Sequence, residues 1–258
     1  MANFTTHIAV GTIAAGALAT ITLAADVVGP ENLIAVTMAG VLGSILPDID
    51  LKDSRPSRAF FSGLAVFFSF VALFTTAGKY SIAEMILLWL GTLLFVRYVA
   101  KWVFHKMSYH RGIWHSGLAA VFCAFATAAA YYWVLKRPEG VSWLAAGFML
   151  IGYFVHLTLD EMYSVDVMDT RIKASFGTAL KPIDAKHWGH SAAMALATVA
   201  AFMLTPSTQQ FTESMSSQNM WSGLQRRALP VDHSVWFGID LKNLGKQIPS
   251  IKRADTAT

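Results

Sequence analysis

The segment His110-Arg111-Gly112-Ile113-Trp114-His115-Ser116 leads straight into Gly117-Leu118-Ala119-Ala120-Val121 and an apolar stretch that continues to Leu135. Read as a helix, Ile113 to Leu135 is long enough to cross the hydrocarbon layer of a bilayer, which takes ~20 residues. A segment that only reversed the chain at a membrane surface would not need two imidazoles five positions apart. His110 and His115 do not align on one helical face, but Gly112 between them permits a bend that turns both rings toward one centre. Arg111 is either a topology charge or a clamp for an anion, since its planar fork matches phosphate geometry. Ser116 is placed to cap the helix that follows or to donate to a neighbouring ligand.

Working outward, the same pattern of a long apolar run ending in a polar group recurs. The other runs are Ile8–Ala25, Leu33–Leu46, Ala59–Ala77, Ile82–Ala100, Val141–Leu159 and Ser191–Leu204. The run from Ile8 resembles a signal peptide in length, but no Lys or Arg precedes it, so it reads as a retained helix. The runs from Leu33 and Ser191 are short for a full crossing and read as tilted, re-entrant or protein-buried. The expected fold is therefore all-α, an integral membrane helical bundle of about six to seven apolar segments, some short or re-entrant. Residues 1–205 form the membrane-embedded part, and 206–258 a polar, basic C-terminal tail with scattered aromatics such as Trp221, Trp236 and Phe237.

Composition agrees. Of 258 residues, 55% are hydrophobic and only 14% charged, with mean hydropathy +0.47; soluble domains carry about 25% charged residues. The single cysteine, Cys123, lies inside an apolar run and has no partner for an internal disulfide. A formal charge of +4 and a pI near 9.2 would suit nucleic acid, but the cations sit in connectors between apolar runs, which topology explains. No direct nucleic-acid binding is expected.

If each run crosses once, His7, the 47–58 and 101–112 connectors, the end of the sixth run and the 160–190 connector share one side. Those connectors hold ten Lys and Arg, against three (Lys79, Lys136, Arg137) on the other side. The excess places the shared side in the cytoplasm. Simple alternation then sends the basic tail outside, a conflict that a re-entrant seventh run would remove.

Parity brings His7, Asp48, Asp50, His110, His115, His156 and Asp160 to this one side, each at a helix end. Ionisable groups at membrane depth are costly and usually pair, or bind something, in an interior. Each also has a plainer reading. His7 after Thr6 suits a polar helix start. Asp48 and Asp50 follow Pro47, where a turn or cap is the default, and the connector is expected not to be helical through that proline. His156 and Asp160 are four apart on one helical face, so an intrahelical hydrogen bond competes with ligation or with Asp160 orienting an imidazole. His187-Trp188-Gly189-His190 loosely repeats the opening motif as a second-site contribution or as interfacial residues. His105 and His233 carry no signal. Taken together, mixed His and Asp groups suit Zn2+, Mn2+ or Fe, and their number exceeds one tetrahedral site. Two or three ions would clamp the oxygens of a phosphoester. Haem competes for histidines in a helical bundle, but the carboxylates at the same level disfavour an apolar haem slot.

Four motifs in order, Thr6-His7, Leu46-Pro47-Asp48-Ile49-Asp50, His110-Arg111-Gly112-x-x-His115-Ser116 and Gly152-x-x-x-His156-x-x-x-Asp160, resemble the YdjM-like family over roughly residues 1–200. The family is described as LexA-binding, inner-membrane-associated and metal-dependent hydrolases, and is distantly similar to all-helical zinc-dependent phospholipases C and related nucleases. Trp114 departs from the small residue often found before the second histidine. The resemblance implies a multi-pass protein of the bacterial inner membrane and a LexA-type protein partner. It also implies His7, Asp48, Asp50, His110, His115, His156 and Asp160 as metal ligands. The residues themselves point to metal-dependent hydrolysis of a phosphoester or phospholipid-like substrate among membrane lipids, with Arg111 and Asp160 as catalytic groups. The competing class is a non-enzymatic membrane regulator or scaffold whose metal site is structural and which binds a protein partner. Metal transport ranks last, because a transport path favours ligands near mid-membrane.

Overall fold

The computed structural model describes residues 3–52, 54–107, 112–166, 171–172, 180–230, 235–236 and 239–240. Ten α-helices follow in chain order: α1 Phe4–Ala24, α2 Pro30–Gly43, α3 Arg55–Thr76, α4 Ile82–Leu94, α5 Lys101–Met107, α6 Gly117–Ala129, α7 Glu139–Met162, α8 Trp188–Met203, α9 Gln209–Ser216 and α10 Gln218–Arg227. Two two-residue antiparallel ladders, Val165–Asp166 with Arg171–Ile172 and Val235–Trp236 with Ile239–Asp240, are the only strands among the described residues. A π-turn, Phe95–Ala100, joins α4 to α5, and a second, Ala130–Val134, extends α6. Among the described residues, five helical stretches are long and apolar enough to cross a membrane: Phe4–Ala24, Arg55–Thr76, Ile82–Lys106, Gly117–Val134 and Glu139–Met162. The chain is an all-α membrane bundle.

Short polar residues set the helix starts. Asn3 accepts from the Thr6 amide at 2.8 Å, Ser54 from Ser57 at 3.1 Å and Ser116 from Ala119 at 3.3 Å, each satisfying an amide that has no partner within its own helix. Ser81 and Glu84 form a reciprocal capping box at α4. The first amides of α6 are also taken up by backbone, with Gly117 N donating to Lys181 O at 2.9 Å and Leu118 N to Pro182 O at 3.0 Å. The 181–182 segment is thereby pinned beside the loop that carries His115.

The centre of the molecule is a close crossing of α2 and α7, with α1 against both and α6 and α8 on the far side of α7 and α6. Small residues permit it. A Cβ at Gly152 would collide with the carbonyl of Gly40, one at Gly43 with the carbonyl of Met149, and one at Gly11 with the Ser44 side chain. Without a hydrophobic force between helices in lipid, backbone proximity of this kind is what holds them. One apolar cluster lies at the end where α2 stops and α6 begins, around Leu46, Ile49, Ile113, Tyr153 and Leu157. A second lies at the other end, around Val28, Val36, Leu144 and Phe148. The α3–α4 hairpin packs mainly on itself and meets the rest at the turn before α3.

Helix α8 does not turn back. It ends beside the end of α6, where Trp133 Nε1 donates to Leu204 O at 2.8 Å. The chain then runs α9 along the start of α7 and α10 to the end of α1, where Arg227 donates to Ala24 O at 2.8 Å. Helices α9 and α10 therefore lie at the opposite end of the bundle from α1's first turn, as simple alternation implies.

Candidate metal centre

The α2–α7 crossing fixes the centre. Helix α2 ends after Gly43, and the carbonyl of Ser44, left free by that ending, accepts from His156 Nδ1 at 2.7 Å. A carbonyl only accepts, so Nδ1 carries the hydrogen, and the lone pair of the neutral ring lies on Nε2. The chain then makes a 3-10 turn, Leu46–Asp50, with Pro47 in its first turn. The expectation that this connector is not helical through Pro47 is corrected. Proline's missing N–H costs nothing in a first turn, and its fixed φ suits it.

The turn buries Asp48 and Asp50 and aims them differently. Asp48 Oδ1 lies 3.6 Å from His156 Nε2 and 3.8 Å from His115 Nε2. Asp50 Oδ2 lies instead 3.3 Å from His115 Nδ1, on the back of that ring. From α7, Asp160 Oδ2 lies 3.7 Å from His115 Nε2 and 3.9 Å from His156 Nε2. The last distance is too long for the intrahelical hydrogen bond that the i, i+4 spacing allows.

Two imidazole nitrogens and two carboxylate oxygens, from Asp48, His115, His156 and Asp160, thus lie within 4.8 Å of one another. Each nitrogen neighbours both oxygens. A tetrahedron with bonds of ~2.1 Å has edges of ~3.4 Å, so the four N···O separations of 3.6–3.9 Å need contract by only a few tenths of an ångström around a cation. His115, His156 and Asp160 are fully buried and Asp48 nearly so. Among the described residues, Asp48 Oδ1 and His156 Nε2 have no hydrogen-bond partner. Buried polar atoms left without partners are costly, and a cation would satisfy both. Burial pushes the Asp48 carboxyl above the usual range, opposed by His115 beside it.

His7 enters from the first turn of α1 and stacks on His156, ring centroids 3.8 Å apart and planes at 12°. Its Nε2 lies 3.3 Å from Asp160 Oδ1, the oxygen that faces away from the four-group cluster. The structure therefore brings together His7, Asp48, Asp50, His115, His156 and Asp160, from four parts of the chain. His110 and Arg111 lie outside the described residues. His187 and His190 are not in the cluster: His187 Nδ1 faces Asp184 Oδ2 at 3.2 Å, and His190 lines an apolar cleft of about 220 Å³ with Phe104, Trp114, Phe122 and Met194. Ser116 is the cap of α6, and its hydroxyl donates to Ile113 O at 2.5 Å.

Three supporting groups lie outside the residues that the sequence motifs single out. Ser44 acts through its backbone, which no residue identity reveals. Tyr153 donates its hydroxyl to the carbonyl of Trp114, tying α7 to the loop before His115. It stands three before His156, so the shared face was readable. His105 Nε2 meets the hydroxyl of Ser57 at 2.9 Å and so ties α5 to the start of α3, just past the Asp48–Asp50 turn.

A family model described as YdjM inner membrane protein matches residues 1–172. No curated protein and no solved structure matches the chain.

Proposed function

The chain belongs to the YdjM inner membrane protein family, and from that premise we propose that it is a metal-dependent hydrolase of a phosphoester or phospholipid-like substrate, working at the cytoplasmic face of the membrane. It is a multi-pass inner-membrane protein. The observation that carries the reading is the set of two imidazole Nε2 atoms and two carboxylate oxygens, buried and mutually within 4.8 Å. A set of four mixed N and O donors suits Zn2+ first, with Mn2+ or Fe as alternatives. Held there, such an ion would supply Lewis acidity to a phosphoester oxygen and make water a better nucleophile.

The chain's own residues have separable roles. Asp48, His115, His156 and Asp160 hold the ion. Asp50 behind His115 and the Ser44 carbonyl behind His156 fix the tautomers that present Nε2, the usual work of groups bonded to a metal-binding imidazole. His7 and the outer oxygen of Asp160 form a pair that can hold a proton between Nε2 and Oδ1, or contribute to a second ion. Arg111 and His110, from the loop that ends in His115, complete the reading as the anion clamp and a further ligand. The apolar cleft beside Trp114 supports a substrate with a hydrocarbon part, since its walls belong to the loop before His115 and to apolar helices.

A specific observation favours a second reading. Four protein groups around one point make a closed shell, the arrangement of structural rather than catalytic sites. In that case the protein is a non-enzymatic membrane regulator or scaffold whose surface binds a protein partner. Elemental analysis of purified protein, before and after chelation, tests the shared premise: about one or more equivalents of a divalent metal are expected, lost in His115→Ala. Wild-type protein without stoichiometric metal would sink both readings. Between them, chelation that abolishes phosphoester hydrolysis with a small change in Tm favours the enzyme, and collapse of the fold favours the scaffold.

A further inference from the structure

Away from the metal centre, Arg58, Arg97 and Lys101 line one cleft of about 210 Å³ with Phe61, Ser62 and Tyr98. The cleft lies between the site end of α3 and the π-turn that joins α4 to α5. Among the described residues, no carboxylate pairs with any of the three cations. The contact that does form is Arg97 over the Tyr98 ring, 5.9 Å from its centroid. A topological preference for cations on one side explains why they are on this side. It does not explain why three from two helices converge on one cavity, where like charges repel. π-turns are rare and are often found at functional sites, and this one carries Arg97 and Tyr98 to the cleft.

The surroundings select the occupant. The Ile82–Lys106 span has no buried residue in its most apolar window, and on α3 the side chains of Phe67, Phe68, Phe70 and Phe74 are exposed. Hydrocarbon therefore surrounds the hairpin along its length, with the three cations gathered at one end. A ligand with a phosphate at the interface and acyl chains lying along α3 and α4 satisfies both at once. Guanidinium forks suit phosphate oxygens, and basic pockets between membrane helices are known sites for anionic headgroups. We propose that the Arg58–Arg97–Lys101 cleft binds the phosphate headgroup of an anionic phospholipid and so anchors the α3–α5 hairpin. This site stands independently of the metal centre.

The test uses full-length protein in detergent, titrated with phosphatidylglycerol or phosphatidylcholine, with retained lipid counted by native mass spectrometry. Wild type is expected to retain phosphatidylglycerol selectively. Loss of two cations in Arg58→Gln/Arg97→Gln is expected to weaken this about thirtyfold, while Lys79→Gln, in the loop at the other end of α3, changes nothing. Equal retention of the two lipids, or of phosphatidylglycerol by wild type and the double variant, would overturn the proposal. So would soluble glycerol phosphate displacing the lipid at matched concentration, which would assign the cleft to a water-soluble phosphoester. Should the double variant not fold, wild type alone still decides: added NaCl must weaken retention of phosphatidylglycerol, and salt-insensitive retention would overturn the site.

Discussion

Helix α7 and the α4–α5 stretch are both apolar spans of similar length, 24 and 25 residues with hydropathies of 1.6 and 1.8. Yet 56% of the α7 window is buried and none of the other. What separates them is residue size at the contacts. Helix α7 meets α2 through Gly152, Gly40 and Gly43, where backbone touches backbone, whereas α4 presents Ile86, Leu87, Leu90 and Leu94 outward. In hydrocarbon, being apolar no longer distinguishes inside from outside, and close approach does. The His and Asp cluster follows the packed helices: it hangs on α1, the turn after α2, the loop before α6 and α7, with no side chain from the hairpin.

That contrast is most sharply broken by adding a branched side chain at one glycine on each side. Gly152→Val drives a side chain into the Gly40 carbonyl, which cannot yield without moving α2 away from α7 and pulling the Ser44 carbonyl from His156. The expected cost is at or above ~3 kcal/mol, with metal lost and the protein aggregating on extraction. Gly91→Val, with nothing within 4 Å of the added Cβ, should change stability by no more than ~0.5 kcal/mol. Thermal melting in detergent checks both. Equal effects would mean that α4 is closely packed at Gly91 after all.

A smaller effect sharpens the division of labour inside the cluster. Asp50→Asn keeps the size of the group behind His115 but removes its charge. Affinity for Zn2+ should fall by about 10- to 100-fold, measured by competition with a chelator, while Asp48→Asn abolishes tight binding. If the two variants fall equally, Asp50 is a direct ligand.

Much of this cluster is legible in the sequence. Counting crossings placed His7, Asp48, Asp50, His115, His156 and Asp160 at one level, because helix ends in a bilayer have only two levels to choose from. The aim of each side chain was not legible. Asp48 and Asp50 differ by two positions, and only the 3-10 turn sends one to the centre and the other behind His115. Pro47 concealed that turn, being read as a barrier when it is a permitted first residue. The short run from Leu33 stands out in the sequence, but its shortness has a use that no composition reveals: α2 ends where Ser44's carbonyl meets His156. The bare hairpin was equally hidden, since runs three and four look like any other span.

Next in size is Tyr153→Phe. The fully buried Tyr153 donates its hydroxyl to the carbonyl of Trp114, a half-buried residue, so its loss should cost about 0.5–1.5 kcal/mol. The loop before His115 loosens with it, and metal affinity should fall alongside Tm. Tyr98→Phe on the lipid-exposed π-turn, with 61% of its surface free, is the control and should leave both unchanged. A Tyr153→Phe protein with wild-type Tm and metal affinity would show that α7 does not hold that loop.

The smallest effect is expected at the far end, where Arg227 pairs with Asp26 at 2.8 Å and with the Ala24 carbonyl. Both side chains are more than half exposed, and exposed pairs contribute little. The hydrogen bond from Arg227 holds the Asp26 carboxyl below its usual range. A carboxylate depressed in this way stabilises the fold above its unfolded pKa of about 3.9 and loses that contribution as pH falls through the lowered value. Arg227→Ala should therefore lower Tm slightly at neutral pH, with the difference from wild type closing in acid and metal content unaltered. Because α10 touches the last turn of α1 while His7 occupies the first, a 21-residue helix separates the pair from the centre. Metal loss in this variant would mean that α1 transmits strain along its whole length, and the two ends would then have to be treated as one coupled unit.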